Sequence, residues 1–312
     1  MKAAICTKYG APEVLKITEV DTPAPKDDEV RIKVYAAGVT ASDIFIRSSN
    51  IPLRTRIPMR IMVGVTKPRR PILGLVLAGR IESAGKTITR FQPGDRVYGL
   101  AGFRFGAYAE YVCLKETDST AGAIGLMPEN INYEEATAAA YGGLLALQLM
   151  EKASIRKGDK VLVYGASGTS GTLAVQLAKH LGAEVTGVCG AANLEMVRNL
   201  GADHVLDYTN QDAPPVGVKY DFVLDSVGKL KASKLKDACG NALAPGGKYL
   251  SIDDGALKLD SKRLARIKEY VEAGTVRPVL DRCYPLDEIA EAHRYVENGH
   301  KRGGVAITII EE

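Results

Sequence analysis

The residues in this chain best suited to chemistry by type and spacing are Gly165, Gly168 and Gly171. They lie in Gly165-Ala166-Ser167-Gly168-Thr169-Ser170-Gly171, directly after the apolar run Val161-Leu162-Val163-Tyr164 and before a further apolar stretch. The order is strand, tight turn, helix. A dinucleotide pyrophosphate needs that order, because it rests on the free N–H groups that open a helix. Glycine removes the Cβ that would block the approach of phosphate or of a neighbouring strand. The spacing is G-x-x-G-x-x-G, not G-x-G-x-x-G, and Ser167, Thr169 and Ser170 add hydroxyls to the turn. A merely structural turn is the plainer reading of glycines alone; the flanking strand and helix favour a cofactor.

An NAD enzyme usually carries an acid about 20 residues further on, at the end of the second strand, to hold the ribose 2′-hydroxyl. Here that end reads Val188-Cys189-Gly190-Ala191-Ala192-Asn193 and has no acid, while Glu184 lies at the opposite end. The absence admits a 2′-phosphate, for which Arg198, Lys301 or Arg302 would be a partner. Each of the three is also readable as a solvated surface charge. NADPH is the expected cofactor and NADH the alternative. Cys189 and Asn193 fall at the expected adenosine end.

These groups need a frame. The chain has 312 residues, 46% apolar and 25% charged, which suits two globular domains. A net charge of +4 does not suggest a nucleic-acid binder, and no run approaches the roughly 20 apolar residues that span a bilayer. Met1–Cys6 is too short for a signal-peptide core, so a cytoplasmic location is expected. The five cysteines are odd in number and widely spaced, with no CxxC pair, and read as buried reduced thiols.

Up to about residue 125 the chain reads as short strands. Residues 29–35 alternate, 72–84 are apolar and broken by Gly74 and Gly79, 92–95 form a turn before another strand, and 107–114 form a further strand. From 133 to 151 the spacing is helical up to Gly142-Gly143. Strands at 160–164, 184–189, 204–206, 220–224 and 247–252 then alternate with helices at 170–181, 193–200, 229–239 and 261–273. That alternation predicts a parallel sheet covered on both faces. A helix at 286–296 and a strand at 305–310 close the chain and are expected to return to the first domain.

In sum the chain resembles the medium-chain dehydrogenase/reductase superfamily, in its zinc-independent quinone oxidoreductase-like branch. The resemblance runs nearly end to end. It rests on Met1-Lys2-Ala3 with Tyr9-Gly10, Ala36-Ala37-Gly38-Val39 with Asp43, Pro93-Gly94-Asp95-Arg96-Val97 and Gly106-Ala107-Tyr108-Ala109-Glu110-Tyr111. It continues through the Gly165 turn, Leu200-Gly201-Ala202-Asp203-His204-Val205, Asp225-Ser226-Val227-Gly228 and Pro285-Leu286 with Glu291-Ala292-His293. It implies an α/β architecture: a GroES-like, partly open β-barrel catalytic domain from residues 1–125 and 275–312, and a Rossmann doubly wound parallel-sheet domain from 126–274.

Zinc-dependent members of the superfamily place a cysteine just after Ala-Gly-Val and a Gly-His-Glu further on. The matching positions here are Thr40 and Gly74-Leu75-Val76, so no catalytic zinc is expected. Zinc-free relatives reduce quinones or conjugated enones, and the resemblance implies an NADPH-dependent oxidoreductase acting on a small carbonyl or quinone. Tyr141, Thr40 and Asp43 are the candidate catalytic residues; Tyr141 is equally readable as a packed aromatic, and Asp43 as a local cap. Tyr208 is expected near adenosine, and Ser226 and Val227 near the ribose or nicotinamide. Gly190-Ala191, where close relatives have Ser-Thr, removes hydroxyls that would bond a 2′-phosphate. Leu145 and Gly304 replace a Thr and an Asn near the expected nicotinamide or substrate position. A homodimer is usual among relatives, but the stretch from Ile252 to Leu264 is short for the segment that builds it.

Between Asp43 and Glu82 stand Arg47, Arg54, Arg56, Arg60, Lys67, Arg69, Arg70 and Arg80, with no acid among them. A solvated surface loop is the plain reading, and steering of an anionic cofactor or substrate the functional one. The rival to an enzyme is a non-catalytic NADPH-binding sensor or accessory protein on the same scaffold.

Overall fold

A computed structural model describes residues 1–48, 53–229 and 233–312, with the side chains of 53–56 and 58 outside the description. In chain order the elements are β1 (Lys2–Cys6), β2 (Leu15–Glu19), β3 (Glu29–Gly38), α1 (Ala41–Arg47), α2 (Leu53–Val63), β4 (Val76–Ala84), β5 (Arg96–Leu100), β6 (Tyr111–Lys115), β7 (Ala123–Leu126), α3 (Tyr133–Ala153) and β8 (Lys160–Tyr164). They continue with α4 (Thr169–His180), β9 (Glu184–Cys189), α5 (Leu194–Asn199), β10 (His204–Asp207), β11 (Tyr220–Asp225), α6 (Lys234–Asn241), β12 (Leu243–Ser251), α7 (Ser261–Glu272), β13 (Leu280–Pro285), α8 (Ile289–Asn298) and β14 (Gly304–Thr308). The expected helix at 229–239 begins later, as α6, with residues 230–232 outside the described residues.

The chain forms two compact units. The first comprises Met1–Ala140, Leu259–Lys268 and Leu280–Glu312; the second comprises Tyr141–Lys258 and Glu269–Val279. Where 125/126 and 274/275 were expected, the chain divides inside α3, before and inside α7, and just before β13. Packing explains the shift. The first turns of α3 belong with the barrel strands: Tyr133 stacks on Tyr35, Glu134 accepts from Thr308 Oγ1, and a Cβ on Gly304 would press on Ala138. The start of α7 is claimed by Tyr98, whose hydroxyl donates to Leu264 O at 2.6 Å.

In the first unit, β13-β14-β3-β4-β5-β7 form one sheet, β6 pairs with the outer stretch of β3, and β1 and β2 pair beside it. The terminal strand does return: β14 lies antiparallel to β3, with Ile307 opposite Ala37. Alternation along β3 sends Val30, Ile32 and Val34 into a core shared with Leu77, Ile81, Val97, Leu114 and Ile307.

In the second unit the sheet is wholly parallel, in the order β10-β9-β8-β11-β12. Val161, Leu162 and Val163 of its middle strand are fully buried, as expected of a strand covered on both faces. Chain order runs outward from β8 to β9 and β10 on one side and to β11 and β12 on the other. The reversal between β8 and β11 opens a crevice at their carboxyl ends, where such sheets take ligands. α3 does not break at Gly142-Gly143. A Cβ on Gly142 would stand 2.5 Å from Thr169 O, so glycine lets α3 pass against the start of α4.

Candidate dinucleotide site

The glycine turn sits at that reversal. Gly165 has φ +80°, and a Cβ there would stand 2.4 Å from Val227 Cγ1 in the loop after β11. A side chain at this position would be strained in conformation and would have to displace Val227. The turn closes tightly. Gly165 N and Ala166 N donate to Val188 O at 3.0 and 2.9 Å, and Gly168 N donates to Gly165 O at 3.0 Å. A Cβ on Gly171 would stand 2.0 Å from Gly165 O. Gly168 is the N-cap of α4 and gives it no capping side chain. The positive end of a twelve-residue helix is thus left open to an anion.

Two buried polar atoms flank the turn. Ser226, 9% exposed in the loop after β11, has a hydroxyl with no partner among the described residues. Its backbone is fixed, since Ser226 N donates to Tyr164 O at 2.9 Å and Ser226 O lies 3.5 Å from Ser170 Oγ. Asn193, 8% exposed after β9, has an Oδ1 that likewise finds no partner among the described residues. Buried polar groups are rarely left so, because each costs its full desolvation. Both fall among the residues expected from sequence to meet the cofactor. The glycine cradle and these two acceptors together fit a dinucleotide laid across the strand ends.

At the adenosine end, a Cβ on Gly190 would lie 3.6 Å from the Tyr208 ring, which is about one-third exposed. Burial first, then the Asp207 charge, pushes the Cys189 thiol up to about 11, and nearby Arg198 partly opposes them. Asp207 escapes the pattern of an acid at the end of β9, because it lies at the end of β10. Asp207 ends the neighbouring strand and points at the same corner. Thr209 N and Oγ1 and Asn210 Nδ2 all donate to it, and the Ala191 amide adds to their pull, holding the carboxyl below its usual range. The -Asp-Tyr-Thr-Asn- stretch carried the signal, since Thr and Asn just after an Asp commonly bond back to it.

Of the other sequence candidates, Thr40, Asp43, Lys301 and Arg302 fall in the first unit, and Tyr141 and Leu145 in the second. Tyr141 is half-buried, one position before the Gly142 that packs against the start of α4. Thr40 and Asp43 do come together, as a capping box at the start of α1. Thr40 Oγ1 and Asp43 Oδ2 are 2.6 Å apart, and Asp43 Oδ2 accepts from Thr40 N at 2.9 Å. Asp43 Oδ1 accepts from Leu75 N at 3.1 Å. Burial lifts Asp43 to about 6 against those hydrogen bonds. The single proton of Thr40 is thus committed to Asp43, and both residues serve local structure. Lys301 Nζ donates to Gly303 O at 2.6 Å, and Arg302 N donates to Asp281 Oδ2 at 2.8 Å. Leu145 is buried in α3.

The basic stretch is not one solvated loop. Arg47 is fully buried and pairs with Glu297 at 2.7 Å. Arg60 is buried over the Tyr9 ring and donates to Ser48 O at 2.8 Å. Arg80 pairs with Glu312, while Lys67, Arg69 and Arg70 are exposed. The side chains of Arg54 and Arg56 lie outside the described residues. Among the described residues no three His, Cys, Asp or Glu side chains group as a metal site. Among them, too, no helix is long and apolar enough to cross a membrane.

Residues 26–123 match the alcohol dehydrogenase GroES-like domain family, and residues 171–276 and 255–307 match families described as zinc-binding dehydrogenase. The 2-methylene-furan-3-one reductase of Solanum lycopersicum is 31% identical over 98% of this chain and 79% of its own length. The chain belongs to the medium-chain dehydrogenase/reductase superfamily, in its quinone oxidoreductase-like group. The NADPH-dependent alkenal/one oxidoreductase of Arabidopsis thaliana, a chloroplastic protein, is 30% identical over the same shares. The solved quinone oxidoreductase of Coxiella burnetii superposes with a TM-score of 0.84 at 25% identity, over 99% of both chains. Within this superfamily the glycine turn, Asn193 and Ser226 sit on the expected dinucleotide-binding unit.

Proposed function

We propose that this chain is an NADPH-dependent, zinc-free oxidoreductase that reduces quinones or α,β-unsaturated carbonyls. The observation that carries the reading is the pair of buried, unpartnered atoms, Ser226 Oγ and Asn193 Oδ1, on either side of the open helix end at Gly168. A bound reduced nicotinamide supplies a hydride. The chain's part is to seat the pyrophosphate on the first turn of α4, to meet the cofactor at Ser226 and Asn193, and to keep water from it. The substrate class follows the relatives, whose names specify a furanone, alkenals and enones, and quinones. The absence of zinc follows from the residues at the expected ligand positions: Thr40 caps α1, Leu75 offers only its N–H to Asp43, and Val76 is buried in β4. Arg198, exposed on α5 near the end of β9, is the proposed partner of a 2′-phosphate.

Asp207 favours a second reading, NADH, because its carboxylate stands at the corner a 2′-phosphate would occupy. One sample tests all of this. Titration with NADPH and NADH should favour NADPH at least tenfold, metal analysis should find no stoichiometric zinc, and a panel of quinones, enals and enones should give saturable turnover. Preference for NADH would transfer the assignment to Asp207, bound zinc would reject the metal-free mechanism, and binding without turnover would make the protein a sensor.

A further inference from the structure

The dinucleotide reading leaves unexplained an ion pair buried at the carboxyl end of β11. Asp225 is fully buried, and five donors meet its carboxylate. Val227 N and Gly228 N reach Oδ1 at 3.1 and 3.2 Å. Tyr249 Oη, Ser251 Oγ and Lys236 Nζ reach Oδ2 at 3.0, 3.1 and 2.9 Å. Lys236, 6% exposed on α6, also donates to Gly228 O at 2.7 Å, and its ammonium stands 5.9 Å from the centre of the Tyr164 ring. Burial and the Asp225 charge push the Tyr249 phenol well above its ordinary value, so it remains a donor.

A pair buried this deeply is a poor stabiliser, because desolvation takes back most of its attraction, and apolar side chains of similar size would serve the fold as well. What this pair adds is control of backbone. Both amides of residues 227–228 and the carbonyl of Gly228 end on it, so the arc after β11 is fixed from two sides. That arc holds the unpartnered Ser226 hydroxyl and presses Val227 against Gly165. The pyrophosphate seat lies at the end of β8 and the adenosine corner at the ends of β9 and β10. A dinucleotide crossing the sheet reversal therefore places its other half over the end of β11.

We propose that Lys236, acting through Asp225, is a positioning residue that sets the 226–228 arc for the nicotinamide half of the cofactor. This inference rests on the dinucleotide reading above. It predicts a loss confined to one half of the ligand, whereas a general loss of structure would weaken both halves.

The test is a titration of the full chain with NADPH and with 2′,5′-ADP, which lacks the nicotinamide half. NADH and ADP replace them if the unaltered protein prefers NADH. Lys236→Met should weaken dinucleotide binding about tenfold and leave the adenosine fragment within about twofold. Lys236→Arg, which keeps the charge and the donors, should recover most of the loss. Removing the lysine alone strands a buried carboxylate, so Asp225→Asn combined with Lys236→Met provides a variant without that charge and should show the same selective loss. Equal weakening of both ligands, or of neither, would overturn the positioning role. Failure of the unaltered protein to bind either ligand would instead overturn the dinucleotide reading beneath it.

Discussion

Ser226 shows at the scale of one residue how binding and stability oppose each other. Its buried hydroxyl lacks a partner among the described residues, and such a group costs on the order of 1 kcal/mol or more. Ser226→Ala should therefore stabilise the free protein by about 1 kcal/mol while weakening dinucleotide binding several-fold. Urea denaturation and a cofactor titration on the same variant check both signs; a variant both less stable and tighter-binding would mean that the hydroxyl has an internal partner. The sequence reached this residue only through the resemblance, since a serine after a strand has no pattern of its own. The glycines were legible unaided, because strand, turn and helix are local. Asp207 was not: the end of β9 meets the end of β10 only once the sheet forms. Lys236 was hidden for the same reason, being eleven residues beyond its partner and on a different element.

Among the elements, α8 and the β5–β6 connection are held together by a buried chain that no periodicity announces. His293 Nε2 lies 3.2 Å from Tyr108 Oη, and Tyr108 Oη in turn donates to Gly38 O at 3.4 Å. With the phenol proton directed at Gly38 O, the Nε2–H tautomer of His293 completes the chain, and Nδ1 is then the ring atom without a partner among the described residues. Burial, aided by the Arg47 charge, lowers His293 to about 3. Its unfolded form titrates near 6.5, so between those values acid protonates only the unfolded chain, and stability is lost as pH falls. Asp43 opposes this between 3.8 and about 6, where the folded state holds the extra proton. The histidine window is the wider, so the pair should make the protein less stable on acidification. His293→Gln should remove the histidine's own contribution, about 2 kcal/mol between pH 7 and pH 5, leaving the opposing Asp43 trend, read from urea midpoints. Parallel profiles for the two proteins would reject the assignment. Most strands and helices here were legible from alternation and breakers. β1, β2, β7, β13, α1 and α2 were not, being short, or exposed along much of their length, or rich in the arginines that read as a loop.

At the scale of the whole molecule, the two units differ in how far the chain must travel to build them. In the parallel sheet, β8 meets β9 with Lys160 opposite Glu184, a closure of about two dozen residues. In the barrel unit, β3 meets β14 with Gly38 opposite Ala306, a closure of about 270 residues. Closure entropy grows as the logarithm of that span, so the second pairing costs about 2 kcal/mol more before any contact rewards it. β14 cannot be dispensed with, since it lies between β3 and β13 and carries the fully buried Ala306 and Ile307. The barrel sheet is therefore completed only when the last residues of the chain have found the first forty. Long-range pairing of this kind slows folding. Pulse-labelled hydrogen exchange during refolding should find the amides of β8, β9 and β11 protected before those of β3 and β14. Ile307→Ala, which leaves a cavity at that late seam, should destabilise by about 2–5 kcal/mol and act mainly by speeding unfolding of the barrel unit. Simultaneous protection of both sheets, or a large fall in the folding rate with Ile307→Ala, would show instead that the β3–β14 pairing belongs to the folding nucleus.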